Sequence, residues 1–136
     1  VGAFAFFDPP QREARPVLQE CQEAGIRVIV ATGDHPSTAL AVANAVGIAE
    51  SQPQHFPEGN NGSVRHTADS NVFARITPAQ KLRLVHALQA RGEVVAFIGD
   101  GINDAPALLR ADVGICMGGN PSTADVAMDA ASLIVL

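Results

Sequence analysis

The hexapeptide GDGIND (99–104) sets two carboxylates, Asp100 and Asp104, and a carboxamide, Asn103, directly behind the apolar run VVAFI. The two aspartates stand four apart at a helix start, so they can share one face, and Gly99 and Gly101 let the backbone turn sharply and approach a ligand. Hard oxygen donors of this kind suit Mg²⁺, which takes one or two protein carboxylates and completes its shell with water and phosphate oxygens. The same residues suit a plainer task, because Asp100 or Asn103 can cap the helix that follows. A second polar group, ATGDHPST (31–38), places Thr32, Gly33 and Asp34 just ahead of another helix, where unpaired N–H groups and the helix dipole favour an anion. Thr32 and Gly33 are candidates to hold phosphoryl oxygens, although Thr-Gly-Asp is also ordinary turn composition. His35 beside them reads as a capping or solvated residue rather than a catalyst. The third feature is Lys81, the single lysine in a chain whose eight other basic residues are arginines. A compact ammonium in the first turn of a helix can neutralise phosphate or carboxylate charge as a point charge; the plainer reading is a solvated surface lysine.

These groups are positioned by an alternating pattern of elements. The apolar run GAFAFF (2–7) reads as a strand stopped by Asp8-Pro9-Pro10. Ala14, Val17, Leu18, Cys21 and Ala24 recur at helical spacing and end at Gly25, after which IRVIVA (26–31) is a buried strand. The Ala-rich stretch 37–46 predicts a helix closed by Gly47, and residues 51–70, dense in Pro, Gly, Asn and Ser, predict a surface loop or insertion. NVFARI (71–76) resumes strand character. TPAQ (77–80) then combines a cap, a proline at the first helical position and Gln three residues after the cap, with Leu82, Val85 and Leu88 as the buried face. VVAFI, a short helix over 105–110, VGICM (113–117), a helix near 122–130 and SLIVL (132–136) complete the series. Short apolar strands alternating with helices predict an α/β fold, a mostly parallel sheet with helices on both faces. Ligands of such sheets bind beyond the carboxyl ends of the strands, where Asp8, Thr32–Asp34 and Gly99–Asp100 all fall.

Composition narrows the function classes. With 136 residues, 47% of them hydrophobic, the chain is about one domain long. A net charge of −5 with no block of Lys and Arg argues against a nucleic-acid partner or an anionic membrane surface. Cys21 and Cys116 are far apart without a CxxC and read as small buried hydrophobes in a reducing compartment. No apolar run approaches the ~18–20 residues that span a bilayer, and no charged n-region opens the chain, so a soluble cytosolic piece is expected.

With these clusters in this order, the chain resembles the phosphorylation domain of P-type cation-transporting ATPases, in the haloacid dehalogenase-like superfamily. FFDPPQRE is similar to that family's DPPR segment, GIRVIVATGDHPSTALAVANAVGI to its TGD segment, FARITPAQK to its lysine-bearing stretch and FIGDGINDAPALLRADVGICMG to its GDGxNDxPAL motif. The resemblance implies a Rossmann-like sheet, ATP as substrate and Mg²⁺ as cofactor. It also implies transfer of the γ-phosphoryl group to the aspartate of a DKTGT motif, followed by hydrolysis coupled to cation transport. It assigns Asp100 to Mg²⁺, Asp104 to ordering the metal site and Asn103 to donation toward the phosphoryl group. Thr32 and Gly33 would hold phosphoryl oxygens, Asp34 would support their loop, and Lys81 would offset charge on nucleophile and phosphoryl. Arg75 matches an arginine that contacts nucleotide, and Asp8 is carried with it as a nucleotide-side residue. Such positioning and electrostatics suit a transition state that spreads charge over several oxygens.

Two departures shape the expectation. Gln11 stands where DPPR has its arginine, with Arg12 next, and no DKTG occurs in the 136 residues. Residues 1–136 are therefore expected to be a partial phosphorylation domain lacking the nucleophile-bearing strand. They would form a cytosolic part of a membrane protein whose partners are its nucleotide-binding, actuator and transmembrane domains, and would be inactive alone. Loss of a central strand would expose apolar sheet edges and favour homo-oligomers. Two other functions compete. One is a soluble haloacid dehalogenase-like phosphohydrolase, for which Asp8 is the only positional nucleophile; the other is a non-catalytic module that docks to an intact pump.

Overall fold

The computed structural model describes residues 9–48, 52–57, 69–99, 102–117 and 131–135. The strand expected at 2–7 and the helix near 122–130 lie outside the described residues, as do Asp8, Asp100 and Gly101. The chain divides into two compact units, Val1–His55 with Ser70–Arg75 and Phe56–Asp69 with Ile76–Leu136.

The first unit contains α1 (Ala14–Glu23), β1 (Val30–Ala31), α2 (Pro36–Ala45) and β2 (Val72–Phe73). β1 and β2 pair in parallel, Val30 opposite Val72 and Ala31 opposite Phe73. Ala39 and Ala43, one turn apart on α2, are small enough to let the helix lie close to Val72 and Ala74, and Val46 and Ile48 complete the core. The end of α2 is a full Schellman motif. Gly47 turns left-handed at φ +88°, its N–H reaches Asn44 O at 3.2 Å, and Ile48 N–H reaches Ala43 O at 2.9 Å, which buries the Ile48 side chain. α1 rests on this core through Ala14 and Leu18; it has no buried residue, and Val17, expected inside, is exposed.

The second unit contains α3 (Pro78–Gln89), β3 (Ala96–Gly99), a 3₁₀ turn (Ile102–Asp104), α4 (Ala105–Arg110), β4 (Val113–Met117) and β5 (Leu133–Val135). Its sheet is parallel in the order β3-β4-β5, with Ala96 opposite Val113 and Ile115 opposite Leu133. α4 places Ala105 and Leu108 on Cys116, with Phe97 and Ala131 at the margin. α3 packs against α4 and buries Leu84, Val85 and Leu88, so Leu84 takes the interior place that Leu82 was expected to fill. Every described strand pairing is parallel, as the α/β expectation requires, but the described strands form two sheets rather than one. Among the described residues no helix is long and apolar enough to cross a membrane.

The stretch 51–70 is not wholly a surface excursion. Gln54 bridges Phe73 in parallel, donating to Val72 O at 2.8 Å and accepting from Ala74 N at 3.2 Å. In the second unit Phe56 is buried, with the Arg83 guanidinium 5.3 Å above its ring and Arg83 Nη1 donating to Pro57 O at 3.0 Å. A single aromatic in a Pro/Gly-rich stretch carries no periodicity, and so its burial was not legible from spacing.

Helix α3 starts as its sequence dictates. Thr77 Oγ1 accepts from Gln80 N at 3.3 Å, Gln80 Oε1 accepts from Thr77 N at 2.8 Å, and Pro78 occupies the first helical position. Thr77→Ala removes one half of this box and is expected to lower stability by about 1 kcal/mol, read as a shift of the urea midpoint. At the other end Asp112 accepts from Val95 N at 2.8 Å and Gln89 Nε2 at 3.0 Å. The Val95 bond, then that from Gln89, holds its carboxyl below the ordinary value of 3.8. A carboxylate depressed on folding contributes stability above its unfolded pKa and loses it as pH falls through the folded one. Asp112→Asn is therefore expected to reduce the drop in urea midpoint that the parent shows on going from neutral pH to below 3.8.

Candidate functional site

In the first unit the Thr32–Asp34 turn leaves β1 under tight backbone control. Thr32 N–H extends the pairing to Phe73 O at 3.0 Å, Thr32 Oγ1 accepts from Asp34 N at 3.1 Å, and Asp34 O accepts from Arg75 N at 3.0 Å. Arg75 takes φ +52°, a left-handed conformation costing a non-glycine residue about 1 kcal/mol, and its bond to Asp34 holds it there. The ends of β1 and β2 are thereby tied into one loop pair, with Gly33, Asp34 and the Arg75 side chain exposed to solvent.

The start of α2 differs from the expectation of unpaired N–H groups. His35 is the cap: its Nδ1 accepts from Ser37 N at 3.3 Å and lies 2.8 Å from Ser37 Oγ, while its carbonyl accepts from Thr38 N at 2.9 Å and Ala39 N at 3.0 Å. Pro36 has no N–H to give. The N–H groups of Ser37, Thr38 and Ala39 are thus consumed locally. His35 is structural, as its position suggested.

In the second unit the decisive contact joins Lys81 of α3 to Asp104 at the start of α4. Lys81 Nζ donates to Asp104 Oδ1 at 2.7 Å, with side chains only 17% and 10% exposed. Asp104 lies against the carboxyl end of β3 because Gly99 has no side chain: a Cβ there would meet Asp104 Cβ and Oδ2 at 2.8 Å. Gly99 permits the close approach of the carboxylate itself, where the sequence suggested the approach of a ligand. Asp104 makes no side-chain cap bond to α4, so helix capping does not explain it. Asn103 sits exposed on the adjoining 3₁₀ turn. The sequence offered Lys81 a phosphate or a carboxylate as its partner, and nothing in the spacing singled out Asp104, 23 residues away, as that carboxylate.

Of the sequence candidates, Thr32, Gly33, Asp34 and Arg75 are gathered in the first unit and Lys81, Asn103 and Asp104 in the second, while Asp8 and Asp100 lie outside the described residues. Among the described residues no three His, Cys, Asp or Glu side chains form a group able to hold a metal.

A family profile described as haloacid dehalogenase-like hydrolase matches residues 1–112. The chain is 49% identical over 125 residues to "Cation-transporting ATPase pma1" of Synechocystis sp., covering 87% of this chain and 14% of that protein. It is 39% identical over 142 residues to "Calcium-transporting ATPase" of Bacillus subtilis (strain 168), covering 100% of this chain and 16% of that protein. Among solved structures it resembles the catalytic domain of the CPx-ATPase CopB-B, with a TM-score of 0.68 and 25% identity over 92% of this chain and 40% of that one. The chain thus spans only about a seventh of the curated relatives it matches. A parallel α/β architecture, two polar turns at strand ends and this pattern of similarity lead to one assignment: the chain belongs to the haloacid dehalogenase-like hydrolases and is homologous to a segment of cation-transporting P-type ATPases.

Proposed function

We propose that the chain is phosphoryl-transfer machinery of a P-type ATPase that couples ATP hydrolysis to cation transport, positioned on the cytosolic side of a membrane. The observation that carries this reading is the buried Lys81–Asp104 pair over Gly99, since removing a carboxylate and an ammonium from water is unfavourable and a plain helix junction needs neither. Lys81 offsets negative charge at the reacting phosphoryl group, and Asp104 holds the ammonium in one orientation. Asn103 donates a hydrogen bond to a phosphoryl oxygen. Thr32 and Gly33 hold phosphoryl oxygens, Asp34 fixes their turn through Arg75, and the Arg75 side chain contacts nucleotide, with Asp8 on the same nucleotide side.

Mg²⁺ fits the donor chemistry on offer. Asp104 is a buried hard-oxygen donor with one oxygen committed to Lys81, which suits an ordering carboxylate, and Asp100 would be the residue that holds the ion directly. When bound, the ion neutralises charge on phosphate oxygens. The partners of this segment are the nucleotide-binding, actuator and transmembrane parts of the same transporter.

The 136 residues contain no DKTG, and on this reading they form no aspartyl phosphate by themselves. Incubating the chain with Mg²⁺ and γ-labelled ATP, and separately with p-nitrophenyl phosphate, is expected to give neither acid-stable phosphoprotein nor turnover above the blank. Metal-dependent turnover abolished by Asp8→Asn would contradict this and favour a self-sufficient soluble phosphohydrolase.

A further inference from the structure

Lys81 is held at its tip by Asp104, and the helix turn at its root is held by residues from the stretch 51–70. Phe56 and Pro57 belong to the second unit together with α3, and Phe56 is 3% exposed. Gln80 Nε2 donates to Phe56 O at 3.0 Å, and Arg83 Nη1 donates to Pro57 O at 3.0 Å. The Arg83 guanidinium also stands 5.3 Å from the centre of the Phe56 ring. The residues that make these bonds flank Lys81 in the sequence. Being three apart, Gln80 and Arg83 share a helix face, whereas Lys81 leaves the same turn in another direction, toward Asp104. Gln80 serves two ends at once: its Oε1 accepts from Thr77 N at 2.8 Å to close the capping box, and its Nε2 carries the bond to Phe56. One carboxamide thereby couples the start of α3 to a buried aromatic.

A lysine ammonium rides on a flexible four-carbon stem, so a contact at the tip defines its place only if the turn beneath it is fixed as well. We propose that Phe56 and Pro57 form a strap that positions Lys81, with Gln80 and Arg83 as its fastenings. The strap holds the first turn of α3 where Nζ reaches Asp104 Oδ1 at 2.7 Å. All four are positioning residues that act through Lys81. The consequence for chemistry rests on the phosphoryl-transfer reading: an ammonium displaced by ~1 Å from the group whose charge it offsets slows transfer by about 100-fold.

Because Lys81 is the single lysine, a chain made with ¹⁵N-labelled lysine gives one side-chain ammonium signal by NMR, and its hydrogen exchange with water reads how firmly the group is held. The parent is expected to show a slowly exchanging ammonium. Gln80→Glu keeps the oxygen that closes the capping box, a place Glu fills equally well, and deletes the donor to Phe56 O. Its added charge is favourable at a helix start, and adjacent helical residues do not face each other, so the new carboxylate is not delivered to Lys81. This variant should exchange the ammonium about tenfold faster, and so should Arg83→Met, which deletes the bond to Pro57 and keeps an apolar stem. Gln89→Ala, which deletes bonds to Arg110 O and Asp112 from the last residue of α3, should exchange like the parent. Urea unfolding of each variant establishes that it is folded. A parent ammonium that exchanges as fast as free lysine overturns the proposal, and so does a folded strap variant with the parent's rate. Equal acceleration in all three variants also overturns it, since that is general loosening and not positioning. The signal is read without ATP, so its failure is distinct from failure of the phosphoryl-transfer reading, which labelling of an intact pump decides.

Discussion

Lys81→Met is expected to destabilise the chain by about 2–4 kcal/mol, the largest loss of any single polar substitution described here. The reason is an asymmetry between losing a pair and losing one partner. With Lys81 present, the Asp104 carboxylate is 10% exposed but has an ammonium 2.7 Å from Oδ1; without it, no ion pair with another described residue balances the charge buried against Gly99. Removing the charge as well should restore most of the loss. Lys81→Met with Asp104→Asn, which keeps the side-chain shape over Gly99, is therefore expected to be more stable than Lys81→Met alone. Urea unfolding of the parent, both single variants and the double variant forms a complete cycle. Equal additive losses would mean that the pair contributes nothing and that Lys81 is an ordinary surface lysine.

The second large effect lies in β4. Gly114→Ala is expected to cost about 3 kcal/mol, because a Cβ there would sit 2.5 Å from the Leu108 carbonyl oxygen and 3.1 Å from its carbon. Both are main-chain atoms of α4, which cannot rotate aside as a side chain would; relief requires moving the helix away from Cys116 and opening the core. Gly92→Ala provides the contrast. Nothing lies within 4 Å of its Cβ position, and the penalty is only that of a left-handed φ of +82°, about 1 kcal/mol. Thermal unfolding of the two variants should rank them in that order. Equal midpoints would show that α4 is not held where Leu108 places it.

The comparison of these two glycines also explains what the sequence disclosed. Local chemistry was legible: TPAQ specified its capping box, His35-Pro36 its helix start, and Gly47 its Schellman stop, since each depends on neighbours within five residues. Helix 105–110 and strand 113–117 fell where apolar runs and turn residues placed them. Contacts between distant residues were not legible. IRVIVA narrows to Val30–Ala31 and NVFARI to Val72–Phe73, because a strand exists only where a partner supplies a ladder. Val17 follows the helical period yet faces solvent, and the sequence cannot say which half of an amphipathic period meets a core. The Lys81–Asp104 bond spans 23 residues, and the burial of Phe56 depends on Arg83 and Gln80 from another element. Residue types suggested a chemistry for the candidate site, while the partners of those residues depend on the fold.

The role proposed for these residues is phosphoryl transfer within a cation pump. Its most direct measurement replaces the matching segment of the calcium-transporting ATPase of Bacillus subtilis, 39% identical over this chain, with residues 1–136. Acid-stable phosphoprotein is then quantified from γ-labelled ATP with Mg²⁺. The account predicts phosphorylation of the chimaera, lowered by at least about 100-fold in Lys81→Met and also in Asn103→Ala, where exposure of the side chain makes loss of folding a minor factor. A membrane-inserted chimaera that takes up no label, or one whose labelling is indifferent to both substitutions, would contradict it.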